Sequence, residues 1–185
     1  MRRILESTRV SLDGVIGNLK AWGMDYLDAD AQKAAAAQLS RSDAMLMGRN
    51  TYQALSTAWS TREGEFADTI NAIQKYVISS TLRSTDWSNS TILRGDVVTE
   101  VTELKQQDGQ DLMIYGHGPL GQTLLEHGLL DDIRLSVHPI MVGTGTLFYR
   151  DAQKKTELDL VGSEPLPSGV IVLTYRPAIG SRQGV

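Results

Sequence analysis

The chain has 185 residues, 41% of them hydrophobic and 22% charged, which fits one ordinary globular domain that needs no covalent staples. Cysteine is absent, so disulfides, thiolate metal sites and a cysteine nucleophile are excluded. With 18 basic against 22 acidic residues the net charge is -4 and no basic tract stands out, so nucleic-acid binding has no electrostatic support.

Arg2 and Arg3 open the chain, but Glu6, Ser7, Thr8 and Arg9 interrupt any apolar run of the kind a secretion signal needs. No apolar stretch is long enough to span a bilayer, and a cytoplasmic protein is expected. Ile4 to Val10 reads as an opening strand, followed by a loop marked by Asp13-Gly14 and Gly17-Asn18. Asp28 or Asp30 caps an alanine-rich helix running to about Leu39, because a carboxylate accepts the orphan N–H groups of a first turn. Ala44 to Met47 is a short apolar strand ending at Gly48, with a helix from Asn50 to about Leu55. Tyr76 to Ile78 is another strand, ended by Ser79-Ser80-Thr81.

Asp96 reads as the cap of a helix whose apolar face is Val97, Val101 and Leu104, closed by Gly109. Leu112 to Tyr115 is a buried strand, then a glycine turn and a helix over about Leu120 to His127 closed by Gly128. Ile133, Leu135 and Val137 alternate as a strand does. Leu158 to Val161 and Val170 to Tyr175 form a closing hairpin through Pro165, Pro167 and Gly169. The pattern predicts an α/β sandwich in one domain over residues 1–176, with a mixed, mostly parallel sheet and an antiparallel C-terminal edge. A disordered tail is expected from Pro177 to Val185, and a doubly wound Rossmann domain is the rival architecture.

Four strand-to-helix turns carry chemistry. Gly116-His117-Gly118-Pro119-Leu120-Gly121 fits G-x-G-x-x-G, in which glycines admit a diphosphate to the backbone and the helix N-terminus offers unpaired N–H groups. It lies late in the chain, and Pro139-Ile140-Met141 stands where a Rossmann domain places its ribose-binding acid. Met47-Gly48-Arg49-Asn50-Thr51-Tyr52 is a second such turn, where Arg49 can clamp a phosphate and Thr51 supplies a donor. Ser79, Ser80 and Thr81, with Arg83 close behind, either simply end the strand or, together with Arg49, offer hydroxyls and cations that suit a ribose 2′-phosphate and hence NADPH over NADH. The loop Ser11 to Gly17 can hold a flat carboxamide by main-chain bonds, or serve only as a connection.

In this order the four segments resemble the dihydrofolate reductase superfamily, and are most similar to the reductase domain at the C-terminal end of the riboflavin-biosynthesis deaminase-reductase, RibD. The resemblance runs from about Arg3 to Tyr175 and implies a dihydrofolate reductase-like three-layer sandwich. It implies that Val15 and Ile16 face the nicotinamide, that Gly48, Arg49, Asn50 and Thr51 hold the central phosphates, and that Ser79, Ser80, Thr81 and Arg83 hold the adenosine end. Tyr115, Gly116, His117, Gly118, Pro119 and Leu120 then wrap the diphosphate. Asp25 before Tyr26-Leu27 resembles the carboxylate that binds a pterin and assists its protonation, with Asp28 and Asp30 nearby. Asp13 is assigned to the substrate, and Tyr52 and Trp59 to an aromatic wall over a flat heterocycle or to the core.

The resemblance departs at the deaminase half, whose zinc site needs cysteines this chain lacks. No arginine for a substrate phosphate or carboxylate is evident. His117, His127 and His138 lack metal spacing, so no metal is assigned. The expected activity is hydride transfer from NADPH to a C=N or C=O of a ribosylaminopyrimidine. The alternatives are a dihydrofolate or pteridine reductase, a silent NADPH-binding module, and an NADH-using Rossmann dehydrogenase. A homodimer is expected through the apolar C-terminal strands.

Overall fold

A computed structural model describes residues 1–26, 28–149 and 155–178. Strand β1 (Ile4–Ser11) is followed by a short helix α1 (Leu19–Trp22) and a 3-10 turn (Met24–Tyr26), neither evident from the sequence pattern. Asp28 caps α2 (Ala29–Leu39), its side chain accepting from the Ala31 amide at 2.8 Å. Then come β2 (Ser42–Gly48), α3 (Arg49–Trp59), α4 (Glu65–Ala72), β3 (Gln74–Ile78) and β4 (Ser90–Leu93). The chain continues through α5 (Val97–Gln106), β5 (Asp111–Tyr115), α6 (Pro119–Glu126), β6 (Asp132–His138), β7 (Leu158–Pro165) and β8 (Ile171–Pro177).

Several expected boundaries move, and Pro165 ends β7 rather than lying in the turn after it. Helix α3 runs a full turn past Leu55 to Trp59. Gly109 does not close α5, which stops at Gln106. With φ +146° it lies against Arg2 and Asp43, where a Cβ would meet Asp43 Oδ2 at 2.5 Å. Pro177 belongs to β8 rather than a tail, and the Ala178 amide donates to the Glu157 carbonyl. The rest of the expected tail lies outside the described residues. Gly128 does close α6. At φ +67° its amide reaches Leu125 O while Leu129 N reaches Leu124 O, satisfying two orphan carbonyls.

The strands form one sheet ordered β4-β3-β2-β5-β1-β6-β8-β7. Strands β1 to β6 pair in parallel, and β8 joins β6 and β7 antiparallel. Helices α2, α3 and α4 cover one face, over Met45, Met47, Val77 and Met113. Helices α5 and α6 cover the other, over Ile4, Leu46, Leu112 and Ile133. Burial on both faces explains why β2 and β5 read as continuous apolar runs. Each wholly buried side chain of this kind contributes about 1.5–3 kcal/mol.

Candidate functional site

Four neighbouring strands, β3-β2-β5-β1, are the ones that carry the four chemically marked turns. Because they are parallel, all four turns emerge at one edge of the sheet. Strand β2 is followed by α3 on one face, whereas its neighbour β5 is followed by α6 on the other. The chain therefore parts between β2 and β5 and leaves a crevice at their C-terminal ends, the place where open α/β sheets bind ligands.

The walls of that crevice suit a phosphate chain. Helices α3 and α6 both start there, at Gly48 and Gly118, and neither has a side-chain cap, so their first N–H groups stay available. Cβ atoms built at Gly48, Gly116 or Gly118 would meet nothing within 4 Å, so a ligand can come close to all three backbones. Gly116, at φ +78°, makes the turn that lets its amide return to Ser7 O at 2.9 Å. Pro119 starts α6, where its missing N–H costs nothing. Leu120 packs on the core beside α5.

His117 sits beneath the turn and is buried, with Nδ1 at 2.9 Å from Glu6 Oε2, and Glu6 itself is wholly buried. The ring lies 4.5 Å from Phe148, and among the described residues its Nε2 is buried without a partner. Across the crevice Arg49 Nη1 donates to Thr81 Oγ1 at 2.9 Å, tying the β2 and β3 turns together while both side chains and Asn50 remain exposed. The Ser79 hydroxyl accepts from the Thr81 and Leu82 amides, so it shapes this turn and leaves Ser80, Thr81 and Arg83 outermost. Arg94, unmarked in the sequence, braces the same turn by donating to Leu82 O at 2.7 Å. These open glycines, uncapped helix starts and surface cations fit a phosphorylated dinucleotide.

The loop after β1 is stapled to the loop after β6. Asp13 accepts from Ser11 Oγ at 2.5 Å, from the Gly143 amide at 2.6 Å and from the Val142 amide at 3.1 Å. The hydroxyl of Ser11 and these two amides pull its carboxyl down to about 2. Asp13 is thus a loop clasp rather than the substrate ligand expected. Val15 likewise does not occupy the open position expected of it. It is 1% exposed, bridges Leu147 and packs under Gly145, which leaves Ile16 as the half-exposed side chain of the pair. Between this loop and residues 140–146 lies a cavity of about 420 Å³ bordered by Gly17, Trp22, Ile140 and Thr146.

A carboxylate with a depressed pKa stabilises the fold wherever it is ionised. The clasp should therefore be complete above about pH 4 and fail as pH falls through about 2. In Asp13→Asn the Val142 and Gly143 amides should exchange with deuterium several-fold faster at neutral pH, and the acid-dependent loosening should disappear. Unchanged exchange at both amides would remove the clasp.

The profile of the RibD C-terminal domain matches residues 3–172. The chain belongs to the RibD C-terminal domain family. Uncharacterized protein YyaP of Bacillus subtilis (strain 168) is 28% identical over 179 residues, which are 94% of each chain. A putative riboflavin biosynthesis protein from Shewanella sp. PV-4 superposes with a TM-score of 0.77 at 19% identity, over 96% of this chain and 99% of that one. The diaminohydroxyphosphoribosylaminopyrimidine deaminase/5-amino-6-(5-phosphoribosylamino)uracil reductase of Thermotoga maritima gives 0.69 at 13% identity, over 96% of this chain but 57% of that protein. The likenesses establish the dihydrofolate reductase-like fold.

On the substrate side this RibD C-terminal domain differs from the expectation. Tyr52 is buried beneath the turn after β3, its hydroxyl accepting the Asp86 and Trp87 amides at 3.0 Å each. Trp59 packs edge-on against Phe66 at 4.9 Å and under Arg62, at the far end of α3. Neither forms an aromatic wall. Aromatic rings gather instead at the end of β6, where His138 meets the edges of Trp22 at 5.4 Å and Tyr26 at 5.2 Å. Asp25, in the same 3-10 turn as Tyr26, is exposed. His138 donates from Nδ1 to Ser136 O, and burial holds its pKa below the usual histidine value. Arg9 and Gln38, unmarked among the expected site residues, lie on this same face of the sheet.

Proposed function

We propose that this chain is an NADPH-dependent reductase that passes a hydride to a C=N or C=O carbon of a small flat heterocycle, the ribosylaminopyrimidine class being the nearest in kind. The reading rests on one observation: the four marked turns sit on four adjacent parallel strands and flank one crevice at the sheet switch point. NADPH, when bound, supplies the hydride. The N–H groups at the starts of α3 and α6 hold its diphosphate, and Arg49, Thr81 and Arg83 meet the 2′-phosphate end. The stapled loop after β1 would present the half-exposed Ile16 to the nicotinamide and shield it from water. Asp25, on the turn beside His138, would supply the proton to the substrate nitrogen or oxygen. Two copies pair through the C-terminal edge, where Leu158, Leu160, Val161 and Ile171 are exposed, in a cytoplasmic setting.

At a concentration about 100 times its dissociation constant, a ligand adds about 2.7 kcal/mol of stability. NADPH at that level should raise the melting temperature by roughly 5–10 °C, and NADH by much less. Equal shifts would remove the 2′-phosphate site. Arg49→Ala should weaken NADPH by at least about tenfold, since charge-assisted hydrogen bonds are worth about 1.5–3 kcal/mol. Absorbance at 340 nm with ribosylaminopyrimidines then tests turnover, and light scattering tests pairing.

A further inference from the structure

The sheet face under α2 carries donors that the cofactor crevice leaves idle. Side chains that pair in parallel register share a face, so Ser7, Arg9 and Ser11 of β1 stand beside Tyr115 of β5 and Ser136 and His138 of β6. Arg9 is half-buried in this row, and among the described residues it has neither an ion pair nor a hydrogen bond. The Tyr115 hydroxyl is buried and, among the described residues, likewise has no partner. The neighbours do not answer either group. Gln38 is turned to Ser7 and to the Met113 sulfur, and the His138 Nδ1–H is taken by Ser136 O.

Buried polar groups are almost always satisfied, and a desolvated cation without a counterion is costly. Guanidinium has five donors and no acceptor, and a phenol can add one more donor. The complement of such a pair is an acceptor-only anion, and the planar fork best matches a carboxylate. We propose that Arg9 and Tyr115 form an oxyanion subsite that takes the carboxylate of a small planar substrate. Tyr115 directly precedes Gly116 of the glycine turn, so the subsite adjoins the crevice. The rings of Trp22 and Tyr26 around His138 provide flat apolar surface close by. Burial raises the Tyr115 pKa to about 12 against the pull of Arg9, which keeps the hydroxyl a donor at neutral pH. A pyrimidine ring would meet Arg9 through its carbonyl oxygens, since its N–H groups would face a donor. The proposal rests on the reductase reading only in calling the ligand a substrate.

Calorimetric titration of the full chain with benzoate and with methyl benzoate, each with and without NADPH, tests it. Benzoate should bind at least about tenfold tighter than its ester, the size of one charge-assisted hydrogen bond. Arg9→Gln should abolish that preference, Arg9→Lys should keep part of it, and Tyr115→Phe should weaken benzoate several-fold. Should Arg9→Gln fail to fold, the Arg9 Nε–H resonance of the wild-type protein must still shift on benzoate addition. Benzoate no tighter than its ester, a preference that survives Arg9→Gln, or an unmoved Arg9 resonance would overturn the subsite. NADPH binding, followed by fluorescence on the same samples, decides the reductase reading separately. Intact benzoate selectivity without NADPH binding would sink that reading and leave the subsite standing.

Discussion

Gly121→Ala is expected to lower the melting temperature by roughly 6–12 °C and to weaken NADPH at the same time. A Cβ at this position would lie 2.3 Å from Glu6 Oε2 and 2.9 Å from His117 Nδ1. Alanine favours a helix over glycine by about 1 kcal/mol, so on propensity alone the change in α6 would stabilise. Overpacking costs about 1–3 kcal/mol, and separating a buried acid from its partner costs about 3–5 kcal/mol, so the clash wins. The Glu6 carboxylate has nowhere to move, being wholly buried and held by Thr8 Oγ1 and His117. His117 lies between Gly116 and Gly118, so displacing it also deforms the phosphate turn. Gly118→Ala is the companion measurement. Its backbone is extended and the space around its would-be Cβ is open, so stability should hold while NADPH affinity falls. A Gly121→Ala protein that melts like the wild type would show that the Glu6–His117 pair does not order this turn.

That pair marks where a sequence stops being readable. The strands β2 and β5 and the cap of α5 at Asp96 show themselves locally, because their apolar runs and their capping carboxylate act on neighbours a few residues away. Helix α4 escapes notice because it has two turns, starts at Gly64 with φ +115° and follows a polar stretch. Strand β4 is four residues at a sheet edge with no apolar alternation. Strand β1 looks half-polar, yet Glu6, Thr8 and Ser11 are all buried, since helices or loops cover both faces. Glu6 answers His117, which lies 111 residues away, and no periodicity reports that. Charged residues inside a strand that topology places near the centre of a parallel sheet were the available signal. Read that way, Glu6 and Arg9 would both have been marked as site residues. The cofactor turns were legible because glycines and helix starts announce themselves in order. The substrate side was not, because it is assembled from β1, β5, β6 and α2 at once.

Tyr52→Phe separates a core role from a substrate role, and it should destabilise by roughly 2–4 kcal/mol. The substitution keeps the ring and its packing near Trp87, 6.2 Å away between centroids, and removes only the oxygen. That oxygen is the acceptor for two backbone amides, Asp86 and Trp87, and the second of these is buried. An unsatisfied buried donor costs about 1–3 kcal/mol, against a net gain of about 1 kcal/mol for an ordinary bond, so the loss falls mostly on the orphaned amides. For a chain of this size the melting temperature should drop by roughly 5–12 °C. Trp87 should loosen with them, and since its ring also covers the Lys75 ammonium at 4.5 Å, its fluorescence should shift toward that of a solvated indole. Below the melting transition, NADPH affinity and the KM for any accepted substrate should stay within about twofold of wild type, because the hydroxyl faces the 86–87 backbone rather than the crevice. A variant with wild-type stability and a raised KM would return Tyr52 to the substrate wall and require the turn after β3 to be held some other way.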